Sequence, residues 1–277
     1  SLNVIEDPFE KLDIESNSET FRIDLRQPLY RDLSTEFAVE LSAETNKNRT
    51  YLLNSPYSFS PGAVDGESKN TVVRFSLEGS KQSRRQVFSA KSRLSFGIDA
   101  LDATIHQDDV PDGEFVSWLG QVQWARILDF MDSRILFRTD IQLADDSLPG
   151  LEQIAAGGRH SVRGYRENLM VRDQAVITSI EGRLPLIRDR GWTEYLQAAI
   201  FFDYGNAWNK FLDTPEPESI SSVGIGLRWA GLFKHPASEI RPRFEVYWGY
   251  PLRDMDYPEY DLQNQGIHFQ FIIQNTY

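Results

Sequence analysis

An alternation of period two, sustained over unusually long stretches, limits what this chain can fold into. Residues 87–100 show it plainly. Phe88, Ala90, Ser92, Leu94, Phe96, Ile98 and Ala100 form one set; Ser89, Lys91, Arg93, Ser95, Gly97 and Asp99 form the other. An apolar set facing a polar one at this period marks a β-strand between two environments. The pattern recurs in eleven stretches: 21–27, 36–44, 71–78, 87–100, 114–126, 134–143, 176–185, 196–205, 219–229, 241–250 and 266–277. They average about ten residues, the length of a tilted strand crossing a bilayer and roughly twice that of an ordinary globular strand. The expectation is an all-β protein, an antiparallel transmembrane β-barrel. A soluble sandwich would show the same alternation in shorter strands.

Charge placement supports the reading. Of the charged residues inside these stretches, all but Glu114 and Arg126 fall on the polar set, among them Arg22, Asp24, Arg74, Arg138, Glu181, Asp203 and Glu245. Val39, Phe75, Trp118, Phe137, Ile200, Phe202, Ile225, Val246, Phe269 and Phe271 stand on the other side. The connections alternate between long acidic ones and short, nearly neutral ones. Outer-membrane barrels have long external loops and short periplasmic turns in this way. The six tryptophans fall near strand ends, which suits aromatic girdles at the two interfaces. Eleven is an odd number of strands, and an open edge in lipid is prohibitive. Residues 1–277 are therefore expected to be the C-terminal part of a larger barrel whose first strands lie outside this sequence.

Composition narrows the function classes. A formal net charge of −12 disfavours a nucleic-acid partner. Without cysteine there is no thiolate metal site or cysteine nucleophile. His106, His160, His235 and His268 lack metal-ligand spacing, and no G-x-S-x-G elbow is present. Asp108/Asp109 and Asp145/Asp146 could hold calcium weakly, but read more simply as solvated loop acids. Neither catalysis, a metal nor a cofactor is expected.

One connection departs from the pattern. Residues 148–175, LPGLEQIAAGGRHSVRGYRENLMVRDQA, hold Gly157, Gly158 and Gly164 with Arg159, Arg163, Arg166 and Arg172. Four arginines in a loop of an acidic chain call for acidic partners, on the barrel wall or on a ligand. Asp203 lies on the polar, inward set with Gln197 and Gly205, and Glu181 is inward on the preceding strand. A guanidinium can bridge two such carboxylates.

The segment Val162-Arg163-Gly164-Tyr165 resembles the conserved loop of the ShlB/FhaC/HecB transporters of two-partner secretion, within the wider BamA superfamily. Phe201-Phe202-Asp203-Tyr204-Gly205 resembles that family's F-x-D-x-G strand motif, and Glu181, Arg183 and Pro185 lie on the strand between. Residues 95–105, 118–128 and 248–252 carry further likeness, so that the resemblance spans about 20–277. It implies a sixteen-stranded barrel in the bacterial outer membrane, preceded by periplasmic POTRA domains. This chain would supply its last eleven strands. It implies export of an unfolded partner exoprotein, with contacts to outer-membrane lipid and to the barrel-assembly machinery during biogenesis. It further implies that the loop folds into the lumen as a latch, with Val162, Arg163, Gly164 and Tyr165 against Glu181, Phe201, Asp203 and Gly205. A BamA-type insertase would share the two motifs; a diffusion porin would lack them.

Overall fold

The computed structural model describes residues 2–3, 14–106, 110–235, 238–255 and 266–276. Eleven long strands run through them. They are β1 (Ile14–Arg31), β2 (Thr35–Leu52), β3 (Glu67–Gln82), β4 (Gln86–Gly97), β5 (Phe115–Ile127) and β6 (Arg134–Ala144). After the long loop come β7 (Gln174–Arg190), β8 (Thr193–Trp208), β9 (Ser219–Gly231), β10 (Ser238–Pro251) and β11 (Ile267–Thr276). Each pairs antiparallel with the next, so that spatial order is sequence order. Short strands extend the sheet locally, and a separate ribbon pairs Ile154–Ala156 with Met170–Arg172. Among the described residues β1 and β11 are the outermost long strands and do not pair with one another.

All eleven expected strands form, but several run longer. The stretch 45–70, expected as a loop, is largely strand, since β2 continues to Leu52 and β3 starts at Glu67. Beyond the apolar band both faces are wet and side chains are polar on each, so the period-two signal fades while backbone pairing continues. Thr20 Oγ1 donates to Asn46 Oδ1 (2.7 Å) and Ser16 Oγ to Asn48 Oδ1 (3.1 Å) in this region. The stretch at 87–100 stops early, at Gly97, because Leu101 and Asp102 turn with positive φ.

The two faces separate as expected. Ile200, Ile225 and Phe269 point outward with 67, 58 and 73 % of their surface exposed, a density of bare apolar groups that suits lipid rather than water. Inward lie Arg74, Asp140, Glu181 and Asp203, all buried. Trp192 packs edge-on against Trp229 and stacks on Phe233 at the short-turn rim; Trp248 and Tyr250 adjoin at the loop rim. Asp145 Oδ1 accepts the Val116 amide (2.6 Å) and Asp146 the Ser147 amide (2.6 Å), so both acids cap loop backbone. Asp108, Asp109 and Tyr277 lie outside the described residues. The main apolar core sits between the long loop and the barrel wall, with Val162, Tyr165 and Met170 packed on Ile177, Ala207 and Ile220.

Candidate functional site

The loop between β6 and β7 enters the lumen as the short ribbon and turns at its tip. Register builds the wall it meets. Asp203 on β8 pairs with Ser179 on β7 and Ser222 on β9, while Phe201 pairs with Glu181 and Gly224. These inward positions form one patch. Two glycines shape it, because a Cβ on Gly224 would lie 2.3 Å from the Phe201 ring and one on Gly226 2.4 Å from the Tyr247 ring. The bare strand surface lets both rings lie flat on the wall.

Arg163 reaches this patch and is 7 % exposed. Its Nε donates to Asp203 Oδ2 (2.7 Å), its Nη2 to Asp203 Oδ1 (2.9 Å) and its backbone amide to Oδ2 (3.1 Å). The first two make a paired fork, the strong form of guanidinium–carboxylate contact. Nη1 bonds Glu181, and Nη2 also reaches Ser179 Oγ (3.2 Å). Ser179 in turn donates to Asp203 Oδ1 (2.6 Å). The guanidinium carbon sits 3.6 Å from the Phe201 ring centre and 4.9 Å from that of Tyr247, within cation–π range. Glu181 is bound from its other side by Arg183 and by the Tyr247 hydroxyl (3.2 Å). Two arginines and two carboxylates thus form a patch without net charge, the condition under which buried ions are tolerable.

The neighbours of Arg163 are held by shape. Val162 lies against Gly205, where a Cβ would come within 3.0 Å of the valine methyl. Gly164 has φ +93°, a conformation other residues rarely adopt, and a Cβ there would lie 2.9 Å from the Gly249 carbonyl oxygen. Its amide donates to His268 Nε2 (3.2 Å). Tyr165 is fully buried; its hydroxyl donates to Ser221 O (2.9 Å) and accepts the Arg253 amide (3.2 Å). The structure therefore brings together all eight residues singled out from the sequence.

Two further anchors lie outside those motifs. Glu152 at the base of the loop meets Arg74 on β3, with Nη2 at 2.6 and 2.8 Å from its two oxygens. Arg74 also pairs with Glu44 at 3.3 Å. Burial pushes the Glu152 carboxyl upward, against the pull of Arg74. Asp173, fully buried, accepts the Leu148 amide (3.0 Å), the Gln153 side chain (2.9 Å) and the Lys210 amide (2.9 Å), tying the loop's two ends together. On the opposite wall Arg159 bonds Gln270 and lies 3.4 Å from Glu245. Among the described residues, Arg172 donates to the carbonyls of Val171 and Pro215 and meets no carboxylate at ion-pair distance. Sequence reading missed Glu152, Arg74, Ser179 and Tyr247. Tyr247 carried a usable signal, an aromatic on the polar set beside a glycine-bearing strand.

A lumen-facing ion cluster, an inserted loop and a lipid-suited exterior define a membrane-spanning β-barrel wall with a loop held against its inner face. The chain belongs to the haemolysin secretion/activation protein family ShlB/FhaC/HecB, whose model matches residues 2–229. Among solved structures it is similar to CdiB from Escherichia coli, with TM-score 0.71 and 18 % identity over 95 % of this chain and 46 % of that one. CdiB from Acinetobacter baumannii gives 0.68 and 12 %, over 99 and 45 %. BamA from Haemophilus ducreyi lacking POTRA domains 1–3 gives 0.60 and 12 %, over 95 and 55 %. The chain spans about half the length of these structures. Among curated proteins none matches. Family and fold together place the protein in the bacterial outer membrane.

Proposed function

We propose that the protein exports an unfolded partner exoprotein from the periplasm to the cell surface. This chain is the C-terminal part of the barrel domain, and further strands and POTRA domains precede it in the whole protein. The observation that carries the reading is the Arg163 cluster. Beside an apolar seat of Val162, Tyr165 and Met170 on Ile177, Ala207 and Ile220, the loop's tip is clamped in the lumen by ion pairs and hydrogen bonds. Such contacts are strong in a closed, partly dry lumen and can be replaced by water or by a passing polypeptide's polar groups. Arg163 acts as the latch, Glu181 and Asp203 as its sockets, and Phe201 and Tyr247 as the walls that hold its plane. Val162, Gly164, Tyr165 and Gly205 fix the loop's seat. The lumen mixes both charge signs, which favours a hydrated polar path over a selective ion pore. Folding of the passenger outside supplies the drive. Lipid and the barrel-assembly machinery are its other partners, and the work is transport rather than catalysis.

The test is deletion of the whole gene, followed by comparison of the secretome and the outer-membrane proteome. Loss of one or a few large secreted proteins, with other barrels unchanged, is the expected result and identifies the passenger. A broad fall in outer-membrane barrels would overturn the reading in favour of an assembly factor.

A further inference from the structure

Two hollows on the outer face meet at Leu128, at the short-turn end of β5–β8. The first is an apolar groove of about 640 Å³. Gly182 and Ala198 form its floor, and Ile135, Ile180, Ile200 and Phe202 stand around them. Register explains the depression. Gly182 lies between Ile135 and Ile200, and Ala198 lies opposite Leu184, so that two small residues sit side by side among large ones. The second hollow, about 480 Å³, is lined by polar groups that include Arg85, Gln86 and Arg126.

Arg126 is one of the two charged residues that break the inward rule. It is exposed, and its register partner Ile135 belongs to the groove, so it leaves the barrel on the groove's side. Arg134 also borders the groove, but its register partners are Ile127 and the lumen-side Arg183, so its side chain belongs to the inner face. Arg85 is neutralised by Asp129. Among the described residues no carboxylate lies within ion-pair distance of Arg126. A bare arginine on the lipid face is costly at the bilayer midplane and nearly free at the interface. Arg126 is one residue from the end of β5, at that interface.

We propose that the groove and the basic hollow are one site, and that its occupant is an anionic phospholipid. One acyl chain fills the depression over Gly182 and Ala198, and the phosphate lies against Arg126. The charge complement is what selects this occupant, since a zwitterionic lipid satisfies the groove but gains less from the unpaired Arg126. This inference needs only the barrel's place in the membrane and is independent of what the lumen carries.

The test uses the full-length protein in detergent. It is titrated with phosphatidylglycerol or with phosphatidylcholine of the same acyl chains, and retained lipid is counted by native mass spectrometry. Wild type should retain phosphatidylglycerol about fivefold better, the worth of one cation beside an anionic headgroup. Arg126→Gln should lose that preference, and Arg126→Lys should keep it. Ala198→Phe should lose both lipids. Gly182→Val is the second filling variant, because a Cβ there meets only the Ile200 side chain, at 3.5 Å. Heat-dependent electrophoretic migration reports which variants are folded. Equal retention of both lipids by wild type overturns the proposal. So does a preference that survives Arg126→Gln, or lipid retained unchanged by folded Gly182→Val.

Discussion

Arg163 differs from the other loop arginines in what its removal leaves behind. Asp203 is fully buried and Glu181 nearly so, and Arg163 bridges them. Arg163→Ala strands two carboxylates in a wall that solvent barely reaches, a defect worth about 3–5 kcal/mol when a buried pair is broken from one side. Arg172→Ala frees only two carbonyls. Export of the passenger, measured against barrel abundance in outer membranes, should therefore fall strongly in Arg163→Ala and stay near wild type in Arg172→Ala. Wild-type export from both would remove the latch role. The charge swap Arg163→Asp with Asp203→Arg tests direct pairing, and the structure sets its limit. The new aspartate would stand beside Glu181, so the double variant should recover part of the loss of either single one. A double variant no better than the worse single one would mean that the pair is not what holds the loop. Arg163, Asp203 and Glu181 were legible in the sequence because a short motif and strand parity mark them. Tyr247 and Arg74 were not, because their partners lie 66 and 78 residues away and only closure of the sheet brings them together.

At the scale of elements, the strands were legible wherever one face meets lipid and the other the lumen, as in β4 to β9. Legibility ended where both faces are wet, so the upper part of the β2–β3 hairpin, within 45–70, reads as a loop. The path of the long loop was legible only through its motif resemblance, because its seat is a surface made by five different strands that no local pattern reveals. That loop is held at the base by Glu152 as well as at the tip by Arg163. The two anchors respond differently to pH. The Glu152 carboxyl is raised by burial, so its ionised form is less favourable with the loop seated than with the loop released into water. The sign follows from linkage: this group favours the seated loop at pH below its raised value, and the contribution is lost as pH climbs through it. Full-length protein in planar bilayers should open less often at pH 5 than at pH 8. Glu152→Gln, which keeps an acceptor for Arg74 but cannot titrate, should flatten that difference. An unchanged pH difference in Glu152→Gln would assign it to other groups.

The whole molecule raises the question of its edges. Among the described residues, the outer edges of β1 beyond Ser16 and of β11 have no strand paired to them, and the outer faces of both strands are apolar, with Ile23 61 % and Phe271 59 % exposed. Hydrocarbon offers the amides and carbonyls of such edges no partner, and each would cost several kcal/mol. The edges must be covered in the membrane, either by one another or by strands supplied from elsewhere in the protein. Our reading is the second, since closing eleven strands would join β1 to β11 in parallel, against the antiparallel order of every other pair. Because this chain has no cysteine, engineered pairs can decide the matter. Phe75→Cys with Leu94→Cys, facing each other in register across β3 and β4, is the positive control and should form a disulfide in intact outer membranes. Phe271→Cys paired in turn with Phe21→Cys, Ile23→Cys or Leu25→Cys should form none, because strands from outside this chain stand between them. A disulfide in any of those three pairs, at the yield of the control, would show that β1 and β11 meet. The barrel would then close on these eleven strands alone.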